Sequence, residues 1–268
     1  MKFNIGDATY WYEIHGIGEP VVFLHGFTGS SQTWSPLVHN LKSKFQIVTI
    51  DLPGHGKTKI NSPRTMEACC HDLNQLFQHL SLESVHLVGY SMGGRTALSF
   101  AMLYPGLIKS LILESASPGL ALQQERHNRR ANDEKLAERI EKEGLESFVD
   151  FWENIPLFNT QKQLPSNKQK IIRDERMSHT EKGLACSLRH MGTGSQPSWW
   201  NELSNFHKPV LLMAGEYDHK FVKINERMKE SLSNSDLRII KNAGHAIHVE
   251  QAEIFGKIVT EFILQNSL

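Results

Sequence analysis

Cysteine is scarce: three in 268 residues, with Cys69 and Cys70 adjacent and Cys186 far away, form neither a disulfide framework nor a CxxC metal pattern. Free thiols in a reducing compartment are the expectation. An excess of charge of one sign is also lacking, because 29 Lys and Arg balance 29 Asp and Glu. No overall field therefore draws the chain to nucleic acid or to an acidic membrane surface, and any affinity for anions must come from local clusters. No apolar run approaches the roughly 20 residues that span a bilayer. Residues Met1 to Asp7 lack the charged-then-apolar pattern of a signal peptide, so a cytoplasmic protein is expected. The nucleotide patterns G-x-x-x-x-G-K-S/T and G-x-G-x-x-G are missing, which argues against a phosphate-binding loop. The 14 histidines show no metal-ligand spacing, and no metal is expected.

What is present is the composition of a soluble globular chain, 40% hydrophobic and 22% charged, long enough to bury a large core. Short apolar runs recur at Val21-Val22-Phe23-Leu24, Ile47-Val48-Thr49-Ile50, Val85-His86-Leu87-Val88, Leu111-Ile112-Leu113 and Val210-Leu211-Leu212-Met213. Continuous apolar runs of this length suit strands covered on both faces, hence a parallel sheet. Between them lie helical patterns, such as Met66 to Leu80 with Met66, Cys69, Cys70, Leu73, Leu76, Phe77 and Leu80 on one face. Ala252 to Leu264 reads as a closing amphipathic helix. Alternating strand and helix predicts a doubly wound α/β fold. Residues 118–200 break the alternation, being rich in Arg, Lys, Glu and Gln with helical spacing only. The stretch is too long for a plain loop, so 118–200 is expected to be a helical cap over a core of 1–117 and 201–268.

Gly89-Tyr90-Ser91-Met92-Gly93 fits G-x-S-x-G and lies between the run ending at Val88 and the helix-like Arg95-Thr96-Ala97-Leu98-Ser99-Phe100-Ala101. That strand-to-helix context makes Ser91 a candidate nucleophile on a sharp turn. A serine hydroxyl needs a base, and Ala243-Gly244-His245 supplies one beyond the last apolar run; His248 is a nearby competitor. Asp218, in Gly215-Glu216-Tyr217-Asp218, is the candidate orienting carboxylate, with Glu114 as a rival and Glu216 as a solvated neighbour. The order Ser, Asp, His is that of the α/β-hydrolases. Two backbone N–H groups should form an oxyanion hole, those of Met92 and of Phe27 in His25-Gly26-Phe27-Thr28-Gly29. Asp51-Leu52-Pro53-Gly54-His55-Gly56 reads as a structural turn.

These motifs resemble the α/β-hydrolase superfamily over the whole chain. A subset is more specific: Gly89 to Arg95, Glu114 with Ser117-Pro118-Gly119-Leu120, the Arg-rich run 126–130, and Gly215-Glu216-Tyr217-Asp218-His219-Lys220-Phe221. Together they resemble 2-succinyl-6-hydroxy-2,4-cyclohexadiene-1-carboxylate synthase, the pyruvate-eliminating lyase of menaquinone biosynthesis. The resemblance implies a small tricarboxylate substrate, no metal or organic cofactor, and substrate-binding roles for Tyr90, Arg95, Arg129, Trp152 and Arg176. It also implies that Ser91, activated by His245 and Asp218, acts as a base and forms no acyl-enzyme. Solvated ion pairs of the cap arginines with Glu125, Glu134 and Glu138 are the plainer expectation for that helix face. An esterase or carbon–carbon bond hydrolase of the same fold is the alternative activity; a non-catalytic binding protein would not need nucleophile, base and acid together.

Overall fold

The computed structural model describes residues 1–267. Its sheet contains β1 (Lys2–Ile5), β2 (Ala8–His15), β3 (Glu19–Leu24), β4 (Phe45–Ile50), β5 (Lys59–Ile60), β6 (Val85–Tyr90), β7 (Ile108–Glu114), β8 (Val210–Gly215) and β9 (Ser235–Ile240). The order is β1-β2-β4-β3-β6-β7-β8-β9, with β5 beside β2. β2 runs antiparallel to its neighbours, whereas the pairs from β4 to β9 are parallel. The five apolar runs lie in β3, β4, β6, β7 and β8, the interior of the sheet.

The helices explain why those runs are apolar throughout. They are α1 (Ser35–Leu41), α2 (Met66–His79), α3 (Met92–Leu103), α4 (Gln123–Trp152), α5 (Ser166–Met177), α6 (Glu181–Met191), α7 (His219–Ser231), α8 (Ile247–Glu250) and α9 (Ala252–Gln265). In β3, Val22 and Leu24 join Leu73, Leu76 and Phe77 of α2 in one core, while Val21 and Phe23 join Leu37 of α1 and Phe255 and Val259 of α9 in the other. Alternate side chains of one strand thus enter opposite cores, so both faces must be apolar. α2 begins at Thr65, whose hydroxyl accepts from Ala68 N–H, and ends as predicted within a residue of Leu80.

Strands β1, β2, β5 and β9 have no counterpart in the sequence expectation. β2 carries an alternating pattern instead of a continuous run: Ala8, Tyr10 and Tyr12 are buried and the residues between are half-buried. β9 lies at the sheet edge and is mostly exposed, so it carries little apolar signal.

Residues 118–200 contain α4, α5, α6 and a 3-10 segment at Pro156–Gln163. α4 is broken at Gly144, which takes φ of 83°. Ala137, Ile140, Phe148 and Val149 of α4 pack on Leu184, Ala185 and Leu188 of α6 in a separate small core. The two ends of this region are tied where Trp199 N–H donates to Pro118 O at 2.8 Å and the Trp200 indole donates to Gly119 O at 3.0 Å. The three cysteines are free thiols, Cys69 and Cys70 being buried in the main core. Among the described residues, no helix is long and apolar enough to cross a membrane.

Candidate active site

Ser91 stands between β6 and α3 with φ of 50° and ψ of −107°, a conformation that non-glycine residues rarely adopt and that costs of order 1–3 kcal/mol. Its surroundings hold it there: Ser91 N–H donates to Glu114 O on β7 at 2.8 Å, and Ser91 O accepts from Arg95 N–H at 2.9 Å. The flanking glycines are required by contact. A Cβ at Gly89 would overlap the Gly93 carbonyl, and one at Gly93 would overlap the Leu24 carbonyl at the end of β3.

The structure brings Ser91, His245 and Asp218 together. His245 Nδ1–H donates to Asp218 Oδ2 at 2.6 Å, which leaves Nε2 free to accept from Ser91 Oγ–H at 3.0 Å. Asp218 and His245 are buried, and Asp218 also caps α7 by accepting from Phe221 N–H. Both rivals are used elsewhere, and by each other: the Glu114 carboxylate accepts from His248 N–H at 3.0 Å and from His248 Nδ1 at 2.8 Å. The His248 ring is enclosed by Tyr90, Trp34 and Phe255. Glu216 accepts from Asn242 N–H on the exposed side of the loop.

A cavity of about 350 Å³ opens over Ser91 and is lined also by Phe27, Met92, Tyr90, Arg95, Arg129 and Trp152. The backbone N–H groups of Phe27 and Met92 make no hydrogen bond to another described residue, so both donors are free for a ligand oxygen. Phe27 is shaped into a turn by His25. Leu52 N–H donates to His25 Nε2 at 2.9 Å, which fixes the tautomer, and His25 Nδ1–H donates to Gly26 O at 2.7 Å. Burial lowers His25 from its ordinary value of 6.5 to about 4, so the ring is neutral at physiological pH.

Arg95 reaches the cavity from α3 and is anchored to the 118–200 region, donating to Met191 O at 2.8 Å and Gln196 Oε1 at 2.6 Å. Desolvation and then the charge of Arg129 pull it below the ordinary arginine value, yet it remains a cation at neutral pH. Its hydrogen-bond partners are neutral oxygens, so no carboxylate pairs with it directly, and Asp133 acts on it only through space. Arg129 pairs with Asp133 at 2.8 Å, one turn along α4. The expected surface pairs do not form: Glu134 takes Arg189, Glu138 takes Lys142, and Arg130 donates to Gly194 O. α4 packs against α6 and the loop after it, and these nearer partners win.

Trp152 both packs and lines the cavity. Its ring stacks on Phe148 and meets Phe27 edge-on, and its indole N–H is buried without a partner. Tyr90 lies against His245 with ring centroids 5.3 Å apart. Arg176 does not line the cavity above Ser91 but a smaller one beside it, which shares Phe27, Tyr90 and Phe158 with the first. It is buried behind Phe158, 4.9 Å from that ring, and donates to Gln161 Oε1 at 3.0 Å. Phe158 faces the cavity in its place. Two cavity-lining cations had escaped the sequence reading, Lys220 and Arg227. Seven residues apart, they share one face of α7, and the helix opened by Asp218 carried that spacing as a signal.

Residues 19–252 match the family model of the alpha/beta hydrolase fold. A Bacillus subtilis protein provisionally named 2-succinyl-6-hydroxy-2,4-cyclohexadiene-1-carboxylate synthase is 47% identical over 91% of this chain and 90% of its own. The enzyme of that name from Photorhabdus laumondii is 32% identical over 98% of this chain and 88% of its own. Among solved structures, MenH from S. aureus superposes with a TM-score of 0.93 at 35% identity, covering 96% of this chain and 99% of that one. The chain therefore belongs to the α/β-hydrolase fold family and, within it, to the 2-succinyl-6-hydroxy-2,4-cyclohexadiene-1-carboxylate synthases.

Proposed function

We propose that this protein is a lyase of menaquinone biosynthesis that eliminates pyruvate from 2-succinyl-5-enolpyruvyl-6-hydroxy-3-cyclohexene-1-carboxylate. The observation that carries the reading is a hydrogen-bonded Ser91–His245–Asp218 set at the floor of a cavity whose wall holds the Arg95 guanidinium, with no carboxylate paired to it directly. A hydrolase acting on neutral esters has no need of that cation, whereas a tricarboxylate does. Residues 118–200 act in this reading as the cap that supplies Arg129 and Trp152, over a core of 1–117 and 201–268.

His245 takes the Ser91 proton, and the Ser91 oxygen takes a proton from the carbon next to the succinyl ketone. The electron pair released from that C–H bond forms an enolate, whose oxygen is held by the Phe27 and Met92 N–H groups. When the enolate collapses, a double bond forms between ring carbons 2 and 3, the ring double bond at carbons 3 and 4 shifts to carbons 4 and 5, and the C–O bond from carbon 5 to the enolpyruvyl group breaks. The enolpyruvate that leaves takes up a proton and becomes pyruvate. Arg95 and Arg129 hold substrate carboxylates, Trp152 offers its free indole N–H, and Tyr90 fixes the His245 ring. Arg176 lies outside this set and supports Phe158.

Purified protein mixed with the enolpyruvyl tricarboxylate should release one pyruvate per cyclohexadiene formed, followed by mass spectrometry and a coupled pyruvate assay. Rapid hydrolysis of short aryl esters with no pyruvate released would instead establish an ester hydrolase, an activity carried by the 27% identical esterase of Thermogutta terrifontis with a TM-score of 0.84.

A further inference from the structure

Three buried imidazoles from distant parts of the chain meet behind the turn that carries the Phe27 N–H. His25 follows β3, His55 belongs to the turn after β4, and His179 lies between α5 and α6 of the cap. The ring centroids of His25 and His55 are 5.1 Å apart, and those of His55 and His179 are 5.3 Å apart. The hydrogen bonds assign His179 its tautomer. Gly56 N–H donates to Nδ1 at 3.1 Å, so Nε2 carries the proton and donates to Thr28 O at 2.9 Å. One cap residue therefore grips the 25–29 loop with one ring nitrogen and the 51–56 turn with the other.

Thr28 needs that grip. Gly29 N–H donates to Gly26 O at 3.0 Å, closing a tight turn with Phe27 and Thr28 at its centre. Thr28 has φ of 66°, in the left-handed region that is a genuine outlier for a β-branched residue. The second central position of such a turn, where φ is positive, ordinarily falls to glycine. A threonine there is free to relax unless its carbonyl is held, and the turn carrying the Phe27 N–H would relax with it. The junction is anchored a second time by Glu175, whose Oε1 accepts from Ser30 N–H at 3.0 Å, Ser30 Oγ at 2.7 Å and Thr33 Oγ1 at 2.8 Å. Beside it the backbones of Gly54 and Gly183 lie so close that a Cβ on either would overlap the other's carbonyl.

We infer that His179 is a positioning residue for the oxyanion hole: through Nε2–H and Thr28 O, the cap holds the Phe27 N–H on target. This rests on the reading of Phe27 as an oxyanion donor. It makes the hole complete only while the α5–α6 junction is seated on the core, so the cap contributes to catalysis and not only to substrate binding.

The two ring nitrogens allow a test that a merely structural role would not satisfy. In His179→Gln the side-chain amide nitrogen can occupy the Nε2 position and still donate to Thr28 O. In His179→Asn the amide can serve only the Nδ1 position and Gly56 N–H. The asparagine variant should lose about tenfold or more in kcat with KM nearly unchanged, because a small displacement of a transition-state donor acts on the barrier and not on substrate binding. The glutamine variant should keep kcat within about threefold of the parent, as expected when the one required hydrogen bond survives. Both variants are to be assayed below their melting temperatures. A parallel measurement is the rate at which a fluorophosphonate labels Ser91, which needs the same hole but no tricarboxylate. The same order of variants is expected there. Equal losses in both, no loss in either, or a loss confined to glutamine would overturn the inference. A parent protein that releases no pyruvate, while its labelling rates still separate asparagine from glutamine, would sink the proposed substrate and leave His179 in this role.

Discussion

Asp218 performs two tasks with one carboxylate: Oδ2 accepts from His245, and Oδ1 accepts from Phe221 N–H at the start of α7. The substitution Asp218→Asn separates them. Asparagine caps a helix as well as aspartate does, so the melting temperature should stay within about 2 °C of the parent, a shift that corresponds to less than about 1 kcal/mol in a chain of this size. An amide nitrogen facing His245 Nδ1 would instead favour the wrong tautomer, and kcat should fall by about 10³–10⁴. Steady-state pyruvate release and a thermal melt on the same sample check both halves. Arg95 is a second divided residue, tied to Met191 O and Gln196 Oε1 while facing the cavity. Arg95→Ala should cut kcat/KM by about tenfold or more, since a charge-assisted hydrogen bond contributes roughly 1.5–3 kcal/mol. Arg95→Lys should recover little, because an ammonium cannot reach two cap oxygens and a carboxylate with a planar fork.

The element that positions the nucleophile is the β6–α3 turn, and its tolerance is set by backbone approach. Gly93→Ala would drive a Cβ into the Leu24 carbonyl at the end of β3. Backbone cannot swing aside as a side chain can, so urea denaturation should show a loss of about 1–3 kcal/mol or more, the usual range for overpacking. Full stability in that variant would mean that α3 can slide relative to the sheet. At this scale the sequence was legible wherever one element buries both of its faces or carries a local motif. The interior strands, α2, α9 and the elbow at Ser91 all meet that condition. β1 and β9 lie at the sheet edges and β2 is the next strand in from β1, and there the apolar run gives way to alternation or to mixed residues. The partners of the cap arginines were not legible, because i,i+4 spacing cannot show that Arg189 of α6 will reach Glu134 and Glu141 of α4.

Over the whole molecule, the buried histidines make stability depend on pH. His25, His55 and His179 are all held below the ordinary histidine value, chiefly by desolvation, with Asp51 opposing the shift at His25 and His179. A group whose pKa is lower in the folded state binds fewer protons there than when unfolded. Its contribution is therefore complete above 6.5 and is lost as pH falls through about 4, the value reached by His25. His25 alone should lower the melting temperature by about 4 °C between about pH 7 and pH 5, and His55 and His179 should add to the drop in the same direction. His55→Asn, which cannot protonate, should flatten that slope; an unchanged slope would assign the acid sensitivity to other groups.

The interior strands β3, β4, β6, β7 and β8, the helices α2 and α9, the sharp turn at Ser91 and the meeting of Ser91, Asp218 and His245 follow from the sequence, because each depends on local periodicity or on a short motif tied to one strand end. Tertiary structure alone decided that Glu114 and His248 satisfy each other, that the Arg176 guanidinium lies over the Phe158 ring, and that His179 reaches Thr28 across 151 positions of chain. Burial and hydrogen-bond partners at such separations depend on how distant elements pack together, and no local pattern of residues encodes that docking.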